Sequence, residues 1–157
     1  MAKRYWLMKS SPVNYSIQDL EREGQDHWDG VRNYTARNFM RDDMKLGDLV
    51  LFHHSNAKPP GVAGTATVCR EGYPDHTAFD RKSQYHDPKS KKDEPRWFMV
   101  DLEFAERFED VVSMDEMRAA KGLEEFPVLQ RGQRLSIMPL TRKQFEIVRR
   151  LGRSRRK

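Results

Sequence analysis

The sequence predicts an α+β fold, a barrel of mixed or mainly antiparallel strands with short helices between them. Short runs with the two-residue alternation of strands are scattered among stretches that begin with helix-capping residues. The central strands have hairpin-like spacing, and the chain has no internal repeat. At 157 residues the chain suits one compact domain with a sizeable core. The glycines form neither GxGxxG nor a P-loop, which disfavours a doubly wound nucleotide-binding fold.

The first elements are marked by their start and stop signals. Residues 4–9 are predicted as a strand, which ends before Pro12 because proline cannot donate to a strand ladder. Ser16, with Asp19 three residues later, is typical of a helix N-terminus, and Gly24 ends that helix.

A second helix and two central strands are predicted next. Asn33 is placed to cap a helix that runs to about Met44, and residues 47–48 form the turn that closes it. Residues 49–53 and 61–69 are predicted strands joined by a polar loop, and they form the centre of the sheet.

The second half of the chain begins with a long irregular connection. Residues 72–96 are rich in Gly, Pro, Asp, His and Lys without a sustained period, and loops of this length are usually functional or mobile. Residues 97–108 alternate as a strand with one buried face. A capped helix over residues 113–122, a last strand over residues 132–138 and a final helix capped by Thr141 complete the prediction.

Charge and composition restrict the compartment and the partners. The net charge is +5, of which a basic tail, residues 153–157, supplies four charges and leaves about +1 for the predicted domain, residues 1–152. A second excess of Lys and Arg lies within residues 81–96, where a solvated loop and a phosphate-contacting loop both stay open. Cys69 is the one cysteine and no apolar run could span a bilayer, so we expect a cytoplasmic protein without membrane segment, signal peptide or disulfide.

The segment of residues 28–38 has the composition of a recognition surface. WDGVRNYTARN contains two aromatic residues, two arginines and two asparagines, and its aliphatic residues are Val31 and Ala36. The regular apolar period of a core segment is absent. Aromatic rings, amides and guanidinium groups are the side chains with which proteins stack on and read nucleobases. The segment predicts base recognition, in which Trp28 either exposes one ring face to a base or seals the end of the barrel.

A series of short motifs runs through nearly the whole chain. In order they are Tyr5–Ser10 with Pro12, Trp28-Asp29-Gly30-Val31-Arg32-Asn33-Tyr34, Gly47-Asp48, His54-Ser55-Asn56, Tyr73-Pro74-Asp75, Tyr85, Arg96-Trp97 and Arg134-Leu135-Ser136. Together these motifs resemble the EVE domain family, a PUA-like branch related in fold to the YTH readers of methylated RNA. The resemblance implies an incomplete barrel flanked by short helices, with a pocket for a modified base. The chain departs from the family's common residues at Ser11, His53 and Ala63, and Ser11 stands near the presumed pocket where the family commonly has a charged glutamate.

The recognition segment and the resemblance together give a set of candidate binding residues. The predicted nucleobase-binding residues are Lys9, Ser10, Trp28, Asp29, Val31, Arg32, Asn33, Tyr34, Asn38, His54, Ser55, Asn56, Tyr73 and Tyr85. The predicted phosphate-contacting residues are Arg37, Lys89, Lys91 and Lys92. No metal and no other cofactor is expected, because the histidines lack HxxxH or HExxH spacing.

These observations predict a non-catalytic, monomeric module that binds a modified base in DNA or RNA. The base leaves its stack and lies against Trp28, and methylated or oxidised cytosine and methyladenine are the candidates. The predicted partners are nucleic acid and, as a further option, an effector protein. One alternative is a PUA-like hydrolase of modified nucleosides, with Lys9, Asp29, Asp75 or His54 as acid, base or nucleophile. Another is a structural adaptor whose cleft is vestigial.

Overall fold

The computed structural model describes residues 3–154 and contains a six-stranded sheet. Its strands are β1 (Tyr5–Ser10), β2 (Gln25–His27), β3 (Leu49–His54), β4 (Gly61–Pro74), β5 (Phe98–Ser113) and β6 (Ile137–Leu140). Their order across the sheet is β2-β5-β4-β3-β1-β6, and β1 and β3 are parallel while the other neighbours are antiparallel. The sheet is not closed, because β2 and β6 remain its two edges. The predicted α+β fold, an incomplete barrel of mixed, mainly antiparallel strands, is confirmed.

Short helices flank this sheet. The α-helices of the described chain are α1 (Ile17–Glu23), α2 (Tyr34–Asn38), α3 (Met114–Ala119) and α4 (Arg142–Arg153). The four predicted N-caps are confirmed, since each side-chain oxygen accepts a hydrogen bond from the backbone N–H three residues later. These caps are Ser16, Asn33, Ser113 and Thr141.

The two faces of the sheet bury separate apolar clusters. Successive side chains of a strand point to opposite faces, so Trp6 and Phe52 enter one cluster while Leu7 and Leu51 enter the other. The first cluster packs under α1 and α2 and includes Trp28. The second packs under α3 and α4, where Phe145 is completely buried. Trp28 therefore belongs to the boundary between a core and the surface.

Several boundaries differ from the predicted ones. The sequence pattern misses β2, because its three residues are polar and form a strand only by pairing with β5. The last strand is Ile137–Leu140 and not residues 132–138, because its pairing with β1 extends from Ile137, opposite Met8, to the end of the strand. The helix predicted from Asn33 changes from α to π geometry over Phe39–Asp43.

The C-terminal helix extends past residue 152, the predicted end of the domain. Helix α4 runs to Arg153, and Gly152 lies so close to Phe108 that an added Cβ would be 2.4 Å from the ring. Arg153 Nε donates to Glu106 Oε1 at 2.7 Å. Arg153 is therefore part of the folded body, contrary to the expectation for the basic tail, and residues 155–157 lie outside the described residues.

Candidate functional site

A cavity of about 550 Å³ opens where β1 and β2 end. Beyond these strands it is lined by the first residues of the recognition segment, by the connection between β4 and β5, and by Ser136 before β6. The predicted binding residues that line it are Lys9, Ser10, Trp28, Asp29, Val31, Arg32 and Tyr85. The lining residues that the site prediction omitted are Ser11, Val13, Asn14, Tyr15, Asp26, His27, Gly30, Gln84 and Ser136.

Trp28 joins the cavity to the core beneath it. The residue is 9% exposed and its ring meets the ring of Phe52 edge-on, with centroids 5.3 Å apart. Its backbone N–H donates to the carbonyl of Val100 in β5 at 2.8 Å. Most of the indole is packed, so only a small part of the ring is accessible from the cavity. Trp28 seals the core and lines the cavity, so its two alternative roles are combined in one side chain.

The buried carboxylate of Asp75 fixes the backbone beside the cavity. Asp75 is fully buried, and its Oδ2 accepts from Gly30 N at 2.8 Å and from Arg32 Nη1 at 3.1 Å. Burial by itself raises the pKa of Asp75, but hydrogen bonds from Thr77, Gly30 and Arg32 outweigh it and hold the pKa below its ordinary value. Asp75 is thus a structural anchor and does not line the cavity.

Tyr85 forms a second aromatic wall through its contact with Gly30. Gly30 has φ 78°, and a Cβ added there would lie 2.5 Å from Tyr85 Cζ. Arg32 holds the same tyrosine by donating from Nη2 to its carbonyl oxygen at 2.6 Å. The absence of a side chain at position 30 allows the tyrosine ring to lie directly over the backbone next to Asp29.

Titratable groups surround the cavity entrance at β2. The Tyr15 hydroxyl donates to Asp26 Oδ2 at 2.7 Å, and burial together with this carboxylate raises the pKa of Tyr15. His27 lies between two carboxylates, with Nδ1 3.2 Å from Asp26 and Nε2 3.4 Å from Asp29. Burial also raises the pKa of Asp29 and lowers the pKa of Lys9. The site is polar and contains both charge signs.

Several predicted base-binding residues lie outside the cavity lining. His54 Nε2 accepts from the backbone N–H of Ile17 at 3.1 Å, and burial lowers the pKa of His54. This histidine fixes α1 to β3. Ser55 and Asn56 follow it in the turn before β4, where Ser55 N donates to Ser10 O at 2.9 Å. His54, Ser55 and Asn56 therefore do not line the cavity, although the sequence predicted that they contact the base.

The second half of the recognition segment is engaged with the long connection. The Tyr34 ring stacks on Trp97 at 4.9 Å, and the guanidinium of Arg37 lies 4.8 Å from the Tyr34 centroid. Arg37 also donates to the carbonyl of Arg96 and to Asn38 Oδ1, both at 2.8 Å. Asn33 caps α2. The segment is thus divided between the cavity and an outer aromatic stack.

Tyr73 and the predicted phosphate lysines are also separate from the cavity. Tyr73 Oη donates to Asp101 Oδ1 at 2.5 Å across β4 and β5, with Arg70 over its ring. Lys89, Lys91 and Lys92 lie in the connection before β5, where Lys91 forms an isolated bridge with Glu94. All three lysines are exposed, so phosphate contact by them stays a prediction.

The described chain contains no group of three His, Cys, Asp or Glu side chains arranged to hold a metal ion. Within residues 3–154 no helix is both long and apolar enough to cross a membrane. The polar residues that reasoning from sequence missed, Tyr15, Asp26 and His27, carry no periodic or motif signal. The pairing of β2 with the edge of β5 positions Asp26 and His27, and the Tyr15 hydroxyl donates to Asp26 from the loop before α1.

Comparison with known proteins fixes the family. The sequence profile of the EVE domain matches residues 4–151. The chain belongs to the EVE domain family. Human thymocyte nuclear protein 1 is 43% identical, and the alignment covers 92% of this chain and 72% of that protein.

Solved structures of other EVE domain relatives share the fold. A hypothetical protein from Leishmania major is 41% identical with a TM-score of 0.94, and the match covers 99% of this chain and 98% of that one. Human THYN1 in complex with 5-methylcytosine-containing DNA is 42% identical with a TM-score of 0.85. That match covers 96% of this chain and 98% of that chain.

Proposed function

We propose that this EVE domain binds DNA that carries a methylated cytosine and receives that base in the cavity. The observation that carries this proposal is the cavity itself, lined by Trp28 and Tyr85, in a chain similar to a human protein that binds 5-methylcytosine-containing DNA. The shared fold and the match over 96% of the chain support the proposal that this chain binds the same kind of DNA as the human protein. Oxidised cytosine, methyladenine and RNA are the other ligands to compare.

Entry of the base into the cavity requires that it leave the helical stack. The lining residues lie at the ends of strands and in loops, so they contact a base only after it is flipped or already single-stranded. The aromatic residues supply contact with the ring, and Lys9, Ser10 and Asp29 supply polar groups around its edge. A methyl group in an apolar contact contributes about 1–3 kcal/mol, so preference over cytosine is about 10- to 200-fold.

The contacts of the candidate acid and base residues favour binding over hydrolysis. Both carboxylate oxygens of Asp75 already accept hydrogen bonds from the protein, and His54 Nε2 accepts one from the backbone of α1, so neither group is available as an acid or base. Of the four residues considered for catalysis, Lys9 and Asp29 line the cavity. The alternative, a hydrolase of modified nucleosides, predicts turnover of a modified nucleoside, which chromatography of the reaction detects.

The proposal is tested with one modified base in three contexts. Fluorescence anisotropy titrations use an oligonucleotide with a single 5-methylcytosine as a single strand, opposite a mismatched base and in a perfect duplex. We expect tighter binding to the single strand and to the mismatch. Flipping a base out of a perfect duplex costs a few kcal/mol, which is comparable to the free energy gained from stacking and from the methyl contact in the cavity. Equal or tighter binding to the perfect duplex would contradict entry of the base into this cavity.

Aromatic variants then locate the binding site. Because Trp28 is part of the core, Trp28→Ala loses binding and about 3–5 kcal/mol of stability, whereas Trp28→Phe keeps an aromatic ring. Tyr85→Ala is the sharper test, since Tyr85 is only half-buried. We expect it to weaken binding to 5-methylcytosine single strand by about 10- to 100-fold, the value of one stacking contact. A folded Tyr85→Ala protein with unchanged affinity would place the base elsewhere.

A further inference from the structure

A short turn at the mouth of the cavity, residues 10–15, presents an apolar side chain to solvent. Val13 lines the cavity and yet is 90% exposed, the highest value among the large hydrophobic residues that the structure describes. It lies between Pro12 and Asn14 in the segment that joins β1 to α1. Because Val13 belongs to the lining and is almost entirely exposed, it lies at the rim of the cavity. Its burial would be favourable, and the folded chain by itself does not bury it.

Hydrogen bonds fix this mouth turn to the rest of the site. The carbonyl of Ser11 accepts from the backbone N–H groups of Asn14 and Tyr15, both at 2.9 Å. Ser10 Oγ donates to the carbonyl of Tyr15 at 2.8 Å. The Tyr15 hydroxyl donates to Asp26 Oδ2 at 2.7 Å, which connects the turn to β2. The mouth turn is therefore held in one position relative to the cavity.

The tip of the mouth turn is also stiff and uncharged. Pro12 has a fixed φ, and the β-branched Val13 has few side-chain rotamers, so little conformational entropy is lost when the tip is buried. Residues 10–16 carry no charge, whereas Asp26 and Asp29 line the cavity at and after β2. Carboxylates repel the phosphates of DNA. A duplex therefore approaches the cavity more readily over the mouth turn than over β2.

We propose that Val13 inserts into the base stack of a duplex whose methylated cytosine has entered the cavity. This inference rests on the proposed function. A base that leaves its stack leaves a gap between its two neighbours, and apolar side chains of DNA-binding proteins insert between base steps. The flipped base and its gap belong to one nucleotide, so the residue that fills the gap must lie at the rim of the same cavity. Val13 meets this requirement, and its burial between the neighbouring bases offsets part of the cost of flipping.

This role of Val13 depends on the form of the DNA. In a perfect or mismatched duplex the partner strand holds the two neighbouring bases apart, so the gap persists after the base has left its stack. In a single strand the neighbours are free to stack on each other, and no gap needs to be filled. Val13 therefore contributes to duplex affinity and not to single-strand affinity. Trp28 and Tyr85 differ from it, because their contact with the flipped base is the same in every context.

The test measures the affinities of wild type, Val13→Ser and Val13→Leu for one 5-methylcytosine as a single strand, opposite a mismatched base and in a perfect duplex. Val13→Ser should weaken binding to both duplexes by about tenfold, because a buried valine side chain is replaced by a polar one. It should change single-strand binding by less than about twofold, as expected for an exposed position. Val13→Leu keeps an apolar side chain and should stay within about threefold of wild type in every context.

Leu46→Ser is the matched control, because Leu46 is also an exposed apolar residue, at 61%, but lies outside the cavity lining. It should keep wild-type affinity in all three contexts, and thermal unfolding shows whether each variant is folded. Equal losses of single-strand and duplex affinity in folded Val13→Ser would make Val13 part of the cavity wall and overturn the proposal. So would unchanged duplex affinity, or a Val13→Leu protein as weak as Val13→Ser. If the wild type binds single-stranded 5-methylcytosine no better than unmodified cytosine, the proposed function itself fails.

Discussion

Gly30 is the residue on which the aromatic wall of the cavity depends most directly. Its φ of 78° is unfavourable for residues with a side chain, and its Cα lies under the Tyr85 ring. The fully buried Asp75 holds the same residue through its backbone N–H. A single position therefore combines a backbone requirement with a packing requirement, and the two can be separated by mutation.

Gly30→Ala is expected to weaken both the fold and base binding. The left-handed conformation costs about 1–2 kcal/mol for a residue with Cβ, and the new methyl group would also displace Tyr85, at a cost of about tenfold or more in affinity. Gly24→Ala is the matched control, because Gly24 has φ 81° but no atom within 4 Å of an added Cβ. Chemical denaturation and anisotropy titration measure both effects. Equal affinity losses in the two variants would show that Tyr85 does not form the wall.

Strand β3 ends with two adjacent histidines in different environments. His54 accepts a hydrogen bond from α1. His53, by contrast, is 3% exposed and neither ring nitrogen has a hydrogen-bond partner among the described residues. Its register neighbours are Lys9 in β1 and Val62 in β4. Burial, followed by the charges of Lys9 and His54, lowers the pKa of His53 from 6.5 to about 4.

The low pKa of His53 makes stability depend on pH. The unfolded chain binds a proton at this histidine below pH 6.5 and the folded chain only near pH 4, so the folded state loses stability as pH falls through this window. Its contribution is about 3 kcal/mol over the window. Urea denaturation at pH 7 and at pH 4 should show a smaller loss for His53→Phe than for wild type. An identical loss in both proteins would mean that His53 does not remain neutral in the folded state.

At the scale of the molecule, two of the arginines predicted to belong to basic surfaces have partners within the folded domain. Arg153 is paired with Glu106, and Arg37 is held by Arg96 and Asn38. The unassigned charges of the tail are therefore Arg155, Arg156 and Lys157, which lie outside the described residues. The exposed lysines of the long connection remain the other candidates for phosphate contact.

Two variants, each of which removes three positive charges, distinguish the tail from the lysines of the long connection as phosphate-contacting surfaces. Deletion of residues 155–157 and the triple change of Lys89, Lys91 and Lys92 to Gln alter the net charge equally. Each phosphate contact that is lost lowers the salt slope of single-strand binding by about 0.7, so full engagement of either surface predicts a decrease of about 2. We expect the lysine variant to show the larger decrease, because these residues follow the cavity-lining Tyr85 in the same connection. A larger effect of the tail deletion would reverse this assignment.

The sequence alone determined the features that depend on neighbouring residues. The N-caps at Ser16, Asn33, Ser113 and Thr141 were predictable because each uses a side chain and a backbone N–H three residues apart. Alternation also predicted the apolar face that Val100 and Leu102 of β5 turn to the first cluster, whereas Phe108 of the same strand lies in the second. The composition of residues 28–38 also indicated recognition before any contact was known.

Only the tertiary structure decided which part of that segment lines the cavity. Trp28 and Asp29 line it, whereas Tyr34 turns to Trp97, 63 positions away in the sequence. The polar strand β2 likewise exists because β5 is beside it, and Asp75 holds Gly30 across 45 positions. These contacts join distant parts of the chain, and their partners are fixed by sheet order and burial rather than by any local pattern. A sequence specifies such pairings only through the packing of the whole fold, which local periodicity does not report.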